Sequence, residues 1–352
     1  MIIVLDATAL RQYLPFDSPL FRQLGTFVRG SGHRLVVPQV VHRELNEHIA
    51  GEFRKVERAF TDFKRQTRYR GDVTPPGEAE QKELTASLNQ RLSELGAEVV
   101  PIPGISHEIV IDRIYDRKAP FRQNEKNKDA GYKDFLIWNT VLKLARTNSD
   151  QEVVLVTADR DFTKDGELHP HLAADADGLK VRLVSDLKTF HDDEVRPWFP
   201  TDEGLKSQLI ARLKEITAFI EEEFELAASG FYVDPFDVDL PYSPEGLRLE
   251  RIDRLADVSI STVSRLGDEE VSVAIVLGGS FIVTDEFTPE DPWQLNALED
   301  AWIDYTVLPW NKRYAQVELQ YEGAAEIEIV FEIEDGEIEQ PTALEITEFT
   351  AN

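Results

Sequence analysis

The chain has no cysteine and a single methionine among its 352 residues. Without cysteine, a disulfide framework, a thiolate zinc site and a cysteine nucleophile are all excluded, and the composition fits a reducing cytoplasm. Long apolar runs are also missing: nothing approaches the roughly eighteen apolar residues that a membrane span requires. The opening Met1-Ile-Ile-Val-Leu-Asp6 carries no basic segment and meets an acid at once, unlike a secretory signal. The expectation is a soluble cytoplasmic protein with no membrane partner. Histidine is sparse, with seven residues. The one close pair, His169-Pro-His171, reads as a solvated turn rather than as a metal site.

Basic residues are scarce in one half only. The formal net charge is −28, which for an evenly mixed chain would argue against binding phosphate. Residues 1–200, however, hold 29 Lys+Arg against 31 Asp+Glu, whereas residues 201–352 hold 9 against 35. The first half is therefore nearly neutral and open to a nucleic-acid partner, and almost all the acidity belongs to the second.

The length suggests two domains. Over the first 198 residues, strands alternate with helices. Apolar runs at 2–5, 34–37, 98–102, 153–157 and 181–184 read as strands. Amphipathic stretches at 18–30, 38–68, 78–95, 106–118 and 131–146 read as helices, with Pro38 at a first helical position. Thr74-Pro-Pro-Gly77 reads as a break and 120–130 as a polar loop. The alternation predicts an α/β domain with a mostly parallel central sheet flanked by helices. A boundary near Trp198-Phe-Pro-Thr201 separates it from residues 199–352. There a helix at 203–227 precedes segments of period two at 258–264, 271–277, 281–284, 315–321 and 326–334. That half reads as an acidic α+β domain with a mostly antiparallel sheet.

Four acids, and a fifth beside one of them, stand out. Asp6 ends the first strand, and Asp159 and Asp161 follow a later one. In parallel sheets, ligands gather beyond the carboxyl ends of the strands. Glu44 shares a helical stripe with Val41, Leu45 and His48. Asp134 shares one with Ile137, Trp138 and Val141, so both acids lie toward apolar faces. A carboxylate in that position is costly unless paired or bound to a cation. Clustered carboxylates without cysteine favour Mg²⁺ or Mn²⁺ over zinc, and such ions can clamp a phosphodiester during hydrolysis.

These residues resemble a known pattern. Asp6-Ala-Thr8, Glu44, Lys133-Asp134 and Thr157-Ala-Asp159-Arg-Asp161-Phe162, in that order and spacing, are similar to the motifs of PIN-domain ribonucleases. Arg117-Lys-Ala-Pro120-Phe121 with Gly131-Tyr-Lys-Asp134-Phe-Leu-Ile-Trp138 resembles, more narrowly, a branch of bacterial PIN-like proteins of unknown function, often with an extra C-terminal region. The resemblance covers about residues 1–190. It implies a metal-dependent nuclease with Asp6, Glu44, Asp134 and Asp159 as catalytic metal ligands and Asp161 as a fifth acid. Asp129 is a weaker candidate ligand, and Thr8 and Thr157 would orient carboxylates or water. Compact toxin-type members are much shorter, so a helical insertion at about 55–120 and the second domain depart from the pattern.

Basic residues at 52–70 and 112–133 are available to follow a phosphate backbone. In the second stretch, which leads into Asp134, the expected contacts are Arg113, Arg117, Lys118, Arg122, Lys126, Lys128 and Lys133. Phe63, Tyr69, Phe121 and Tyr132 are available to stack on unpaired bases. The acidic second domain is expected to serve self-association or a protein partner. Together these readings predict a metal-dependent endoribonuclease acting on single-stranded RNA, in growth control or phage defence. A DNA nuclease and a non-catalytic PIN scaffold are the competing readings.

Overall fold

Two runs without a polar residue, Ile2–Leu5 (β1) and Val153–Val156 (β4), are fully buried and lie side by side in parallel. A strand covered on both faces can dispense with alternation, which is why these read as continuous apolar runs. The computed structural model describes residues 1–351 apart from 12–13, 15, 17, 68–74, 122–130, 165, 230, 234–237, 239, 241–245, 268, 288–294, 296, 299–304, 310–314 and 335–336. The chain divides into two units, Met1–Trp198 and Phe199–Asn352. Among the described residues, no helix is long and apolar enough to cross a membrane.

In the first unit, the short helix Ala7–Leu10 (α1) and the helix Pro19–Ser31 (α2) follow β1. The strand Arg34–Pro38 (β2) leads into a long helix, Gln39–Thr67 (α3). Pro38 ends the strand, paired with Val100, and the helix begins one residue later than its sequence suggests. Next come Glu78–Glu94 (α4), Ala97–Val100 (β3), His107–Tyr115 (α5) and Tyr132–Thr147 (α6). Beyond β4 lie a hairpin of Thr163–Lys164 (β5) and Glu167–Leu168 (β6), the helix Pro170–Asp175 (α7), Val181–Val184 (β7) and Leu187–Phe190 (α8). The parallel sheet runs β3-β2-β1-β4-β7, with β1 at its centre. This is the helix-flanked parallel sheet that the alternation predicts.

The last turn of this unit carries a charge cluster. A π-helical turn at His191–Val195 continues α8, and Asp192 there meets Lys188 at 3.1 Å, Arg196 at 3.3 Å and His191 Nδ1 at 3.2 Å. Burial acts to raise its pKa, but the His191 hydrogen bond and the two cations outweigh it and hold the carboxyl at about 2. A depressed carboxyl stabilises the fold at pH values above its unfolded pKa, and that contribution disappears as pH falls toward 2. Asp192→Asn is therefore expected to cost about 1–2 kcal/mol at pH 7, with a deficit that closes below pH 3, by urea unfolding across pH.

The second unit opens with the helices Glu203–Ala211 (α9) and Leu213–Ala228 (α10), broken at Arg212, where one continuous helix is expected from sequence. Among the described residues, five strands follow: Arg248–Arg265 (β8), Glu270–Phe287 (β9), Tyr305–Pro309 (β10), Ala315–Glu334 (β11) and Glu337–Ala351 (β12). They form an antiparallel sheet in the order β10-β11-β9-β8, with β12 also paired to β11. Leu205, Leu209, Ile216, Ile220 and Phe224 from the helices join Val273, Ile275, Leu277, Ile327 and Ile329 in one core.

The sequence divides β9 and β11 each into two strands at their glycines, whereas each is continuous. Gly279 and Gly323 face one another across the sheet. A Cβ at Gly279 would stand 2.2 Å from the Arg254 carbonyl oxygen, and one at Gly323 would stand 2.5 Å from that of Thr350. These glycines permit close passage of neighbouring backbones and do not mark turns.

Candidate metal centre

Parallel pairing of β1 with β4 brings their carboxyl ends together, Leu5 beside Val156. Asp6 follows the first strand and Thr157 the second, and they touch: the Thr157 hydroxyl donates to Asp6 Oδ2 at 2.7 Å. The Thr8 hydroxyl donates to the same oxygen at 2.7 Å, and the Ala7 N–H donates to Oδ1 at 2.6 Å. Asp6 is thus buried, its carboxylate capping α1 and joining two loops. Two further bonds extend the network, from Ala158 N–H to Thr8 Oγ1 at 3.1 Å and from Asp159 N–H to Thr157 Oγ1 at 3.0 Å. Both threonines orient a carboxylate. Thr157 is too buried to meet a substrate, whereas Thr8 lines the cleft.

Past β4 the chain turns sharply. Asp159 caps a short 3₁₀ turn, Arg160–Phe162, by accepting the Asp161 N–H on Oδ1 at 2.8 Å. This sets Asp159 and Asp161 two residues apart on one loop, and α6 delivers Asp134 to the same place from its first turn. One carboxylate oxygen from each of Asp134, Asp159 and Asp161 lies within 4.8 Å of the other two. Opposite ligands of an octahedral Mg²⁺ stand about 4 Å apart, so small side-chain adjustments bring all three onto one cation. The donor set is all oxygen and anionic, which fits a hard divalent ion.

A cleft of about 350 Å³ opens over two of these acids, Asp134 and Asp159, and is also lined by Asp6, Thr8, Arg11, Glu44 and Lys133, among others. All four sequence-derived acids therefore face one cleft. They do not stand equivalently, for Asp6 and Glu44 lie outside the three-acid group. Glu44, one turn into α3, is held in ion pairs by Arg11 and by Lys133, the latter at 3.4 Å. Its neighbours Val41 and Leu45 are fully buried, as the apolar stripe requires. The position of Asp134 on α6 is likewise fixed by buried Ile137, Trp138 and Val141. Arg11 had no signal in the sequence beyond standing five residues after Asp6, since charge clustering draws attention to longer basic runs.

The expected substrate contacts separate. Lys133 is exposed at the cleft rim. Arg117 and Lys118 are exposed on the loop after α5, outside the residues that line the cleft, with Lys118 paired to Asp116 at 2.8 Å. Arg113 is not available for a phosphate: it is buried, bonded to the Ala119 carbonyl oxygen, paired with Asp175 at 2.7 Å and seated over the Phe135 ring. A guanidinium enclosed in this way braces the start of α6, next to Asp134, instead of reaching solvent. Trp138 Nε1 donates to the same Asp175 at 3.0 Å. Arg122, Lys126, Lys128 and Asp129 lie outside the described residues, as do Arg68, Tyr69 and Arg70.

The histidine pair is ordered rather than solvated. His169 caps α7 and accepts the His171 N–H on Nδ1, and His171 Nδ1 accepts the Ala119 N–H at 3.1 Å. Burial, then His171, Lys164 and Arg113, lower the pKa of His169. A ring that charges more readily in the unfolded chain costs stability as pH falls below its unfolded value.

No curated protein and no solved structure matches the chain. A family model does: residues 3–162 match that of the PIN domain. PIN domains are in general metal-dependent nucleases. The matched segment runs from β1 through the 3₁₀ turn and contains Asp6, Glu44, Asp134, Asp159 and Asp161. Residues 3–162 are thus similar to the PIN-domain family, and the rest of the chain lies outside that match.

Proposed function

We propose that the first unit is a divalent-metal-dependent endoribonuclease that hydrolyses phosphodiester bonds of single-stranded RNA. The observation that carries this reading is the group Asp134, Asp159 and Asp161, gathered within 4.8 Å, two of whose members, Asp134 and Asp159, line a cleft that also holds Arg11 and Lys133. Asp134, Asp159 and Asp161 would hold Mg²⁺ or Mn²⁺, with Asp6 and Glu44 lining the approach. Bound there, such an ion supplies Lewis-acid polarisation of a phosphoryl oxygen and a water of lowered pKa.

The remaining work falls to the chain's own groups. Arg11 and Lys133, both on the cleft wall, bind the anionic backbone and orient it over the acids. Thr8 and Thr157 keep the Asp6 carboxylate fixed by hydrogen bonding, which holds the β1 and β4 loops in register. The acidic second unit, with 9 basic against 35 acidic residues over 201–352, is unsuited to bind phosphate and fits a role in self-association or protein docking. Family resemblance supports growth control or phage defence as the setting, and the cysteine-free composition fits the cytoplasm.

The test is incubation of the purified full chain with end-labelled single- and double-stranded RNA and DNA, in Mg²⁺, in Mn²⁺ and in EDTA. Single-stranded RNA is expected to be cut internally with either metal and to survive in EDTA. Cleavage of DNA with RNA left intact would move the substrate to DNA. Metal and EDTA lanes that look alike on all four substrates would overturn the reading.

A further inference from the structure

A second concavity lies beside the acidic cleft. It has a volume of about 220 Å³ and is formed by Ile49 and Phe53 of α3, Leu84 and Leu88 of α4, and a polar margin of His48, Glu52 and Arg11. Arg11 lines both this pocket and the acidic cleft. The two are also joined along α3, because Glu44, His48 and Glu52 follow one another at intervals of four and so lie on one helical face. Arg11, held by Glu44, is thus a cation common to the acidic cleft and the pocket.

We infer that this pocket receives an unpaired nucleobase of the nucleic-acid substrate, next to the phosphate that Arg11 contacts. The inference rests on the nucleic-acid reading of the acidic cleft. Ligand pockets for whole small molecules run from about 300 Å³ upward, so a site of this size suits one flat ring system. Its walls offer aliphatic side chains and one aromatic ring, the surface on which an unstacked base is stable. Its margin offers an imidazole and a carboxylate 3.9 Å apart, which can meet the polar edge of a base. Glu52 keeps its charge there, since the Lys55 hydrogen bond holds its pKa below the usual carboxylate range. The guanidinium at the junction supplies the positive charge that the linking phosphate requires. A base-paired strand has no ring free to enter, so the pocket accounts for selection of single strands.

The test compares the affinity of the full chain for a short single-stranded oligonucleotide with that for an abasic backbone of the same length. Fluorescence anisotropy is measured with Ca²⁺ replacing the catalytic cation. Wild type is expected to prefer the base-bearing strand roughly tenfold or more. Leu84→Trp, which fills the pocket from its half-buried rim, is expected to bring that ratio close to one. Phe53→Ala, which removes the ring, is expected to reduce it severalfold, so the inference does not depend on one variant folding. A ratio unchanged in both folded variants overturns the pocket assignment while leaving metal-dependent cleavage in place. A changed oligomeric state in Leu84→Trp with an unchanged ratio assigns the pocket to a second copy and also overturns it. Base preference without any cleavage in Mg²⁺ or Mn²⁺ upholds the pocket and removes the nuclease reading. Absence of binding to either strand removes both.

Discussion

Asp159→Asn is expected to lower metal-dependent cleavage by at least about 100-fold while leaving unfolding within about 0.5 kcal/mol of wild type. The separation of the two effects follows from what each oxygen does. Oδ1 of Asp159 accepts the Asp161 N–H and caps the 3₁₀ turn. Asparagine retains an oxygen for that bond and caps as well as aspartate does. The substitution therefore removes one negative charge from the three-acid group while keeping that cap. Mn²⁺ affinity, read by calorimetry, should fall with the cleavage rate. Asp6→Asn is a poorer probe. Both Asp6 oxygens accept hydrogen bonds, two hydroxyls meeting on Oδ2. An amide placed there opposes donor to donor and costs roughly 1–3 kcal/mol. Lost activity in Asp6→Asn would then report a damaged loop as readily as a missing ligand.

Gly131→Ala is the second substitution with a large expected effect. Gly131 precedes α6 with φ of +96°, and a Cβ built on it would stand 2.3 Å from the Pro120 carbonyl oxygen and 2.8 Å from Phe121 Cα. The obstacle is backbone, which cannot rotate aside as a side chain can. An alanine must also adopt a left-handed conformation at a cost of about 1–2 kcal/mol. Together these place the loss of stability at about 2–4 kcal/mol. Because the Gly131 carbonyl accepts the first helical bond from Phe135, the displacement reaches Asp134 one turn along, and Mn²⁺ affinity should drop as well. Gly32→Ala is the matched control. Its φ is +68° but nothing lies within 4 Å of its Cβ, so only the conformational cost applies and Mn²⁺ binding should be unchanged. Equal losses in the two variants, by urea unfolding, would show that contact with Pro120 contributes nothing.

The parts legible in the sequence were those where one local pattern has one physical meaning. Ile2–Leu5 and Val153–Val156 are apolar without interruption because the sheet covers both their faces. Asp6 follows the first directly and Asp159 lies three residues past the second, so their approach depended on those strands being neighbours, as they are. The second unit was harder because its strands depart from period two. On β8, Leu249, Ile252, Leu255 and Val258 recur every three residues, which obscures a strand. They pair with Val283, Phe281, Gly279 and Leu277, spaced every two, and a register shift after each of the first three pairings absorbs the extra residue. A bulged strand thus carries a period that no local rule assigns to a strand. On β12, Pro341 stands at a register shift in a strand that, among the described residues, pairs with β11 alone, a place where a missing N–H is tolerated.

Side-chain roles were least legible where the partner is remote in sequence. Arg113 belongs to a basic run that suggested phosphate binding, but Asp175 and the Ala119 carbonyl enclose it. Arg11 lies in no such run, yet it reaches Glu44 across the cleft. Neither outcome is available from charge spacing, because both depend on how loops converge beyond the sheet.

The central claim is that the group Asp134, Asp159 and Asp161 works as a cation-dependent phosphodiesterase centre. Its most direct test is single-turnover cleavage of single-stranded RNA against Mn²⁺ concentration, for wild type and Asp159→Asn purified in parallel. The account predicts saturable, Mn²⁺-dependent cleavage by wild type that EDTA abolishes, and a rate at least about 100-fold lower for Asp159→Asn at every concentration. Equal rates for the two proteins, or cleavage that persists in EDTA, would contradict it.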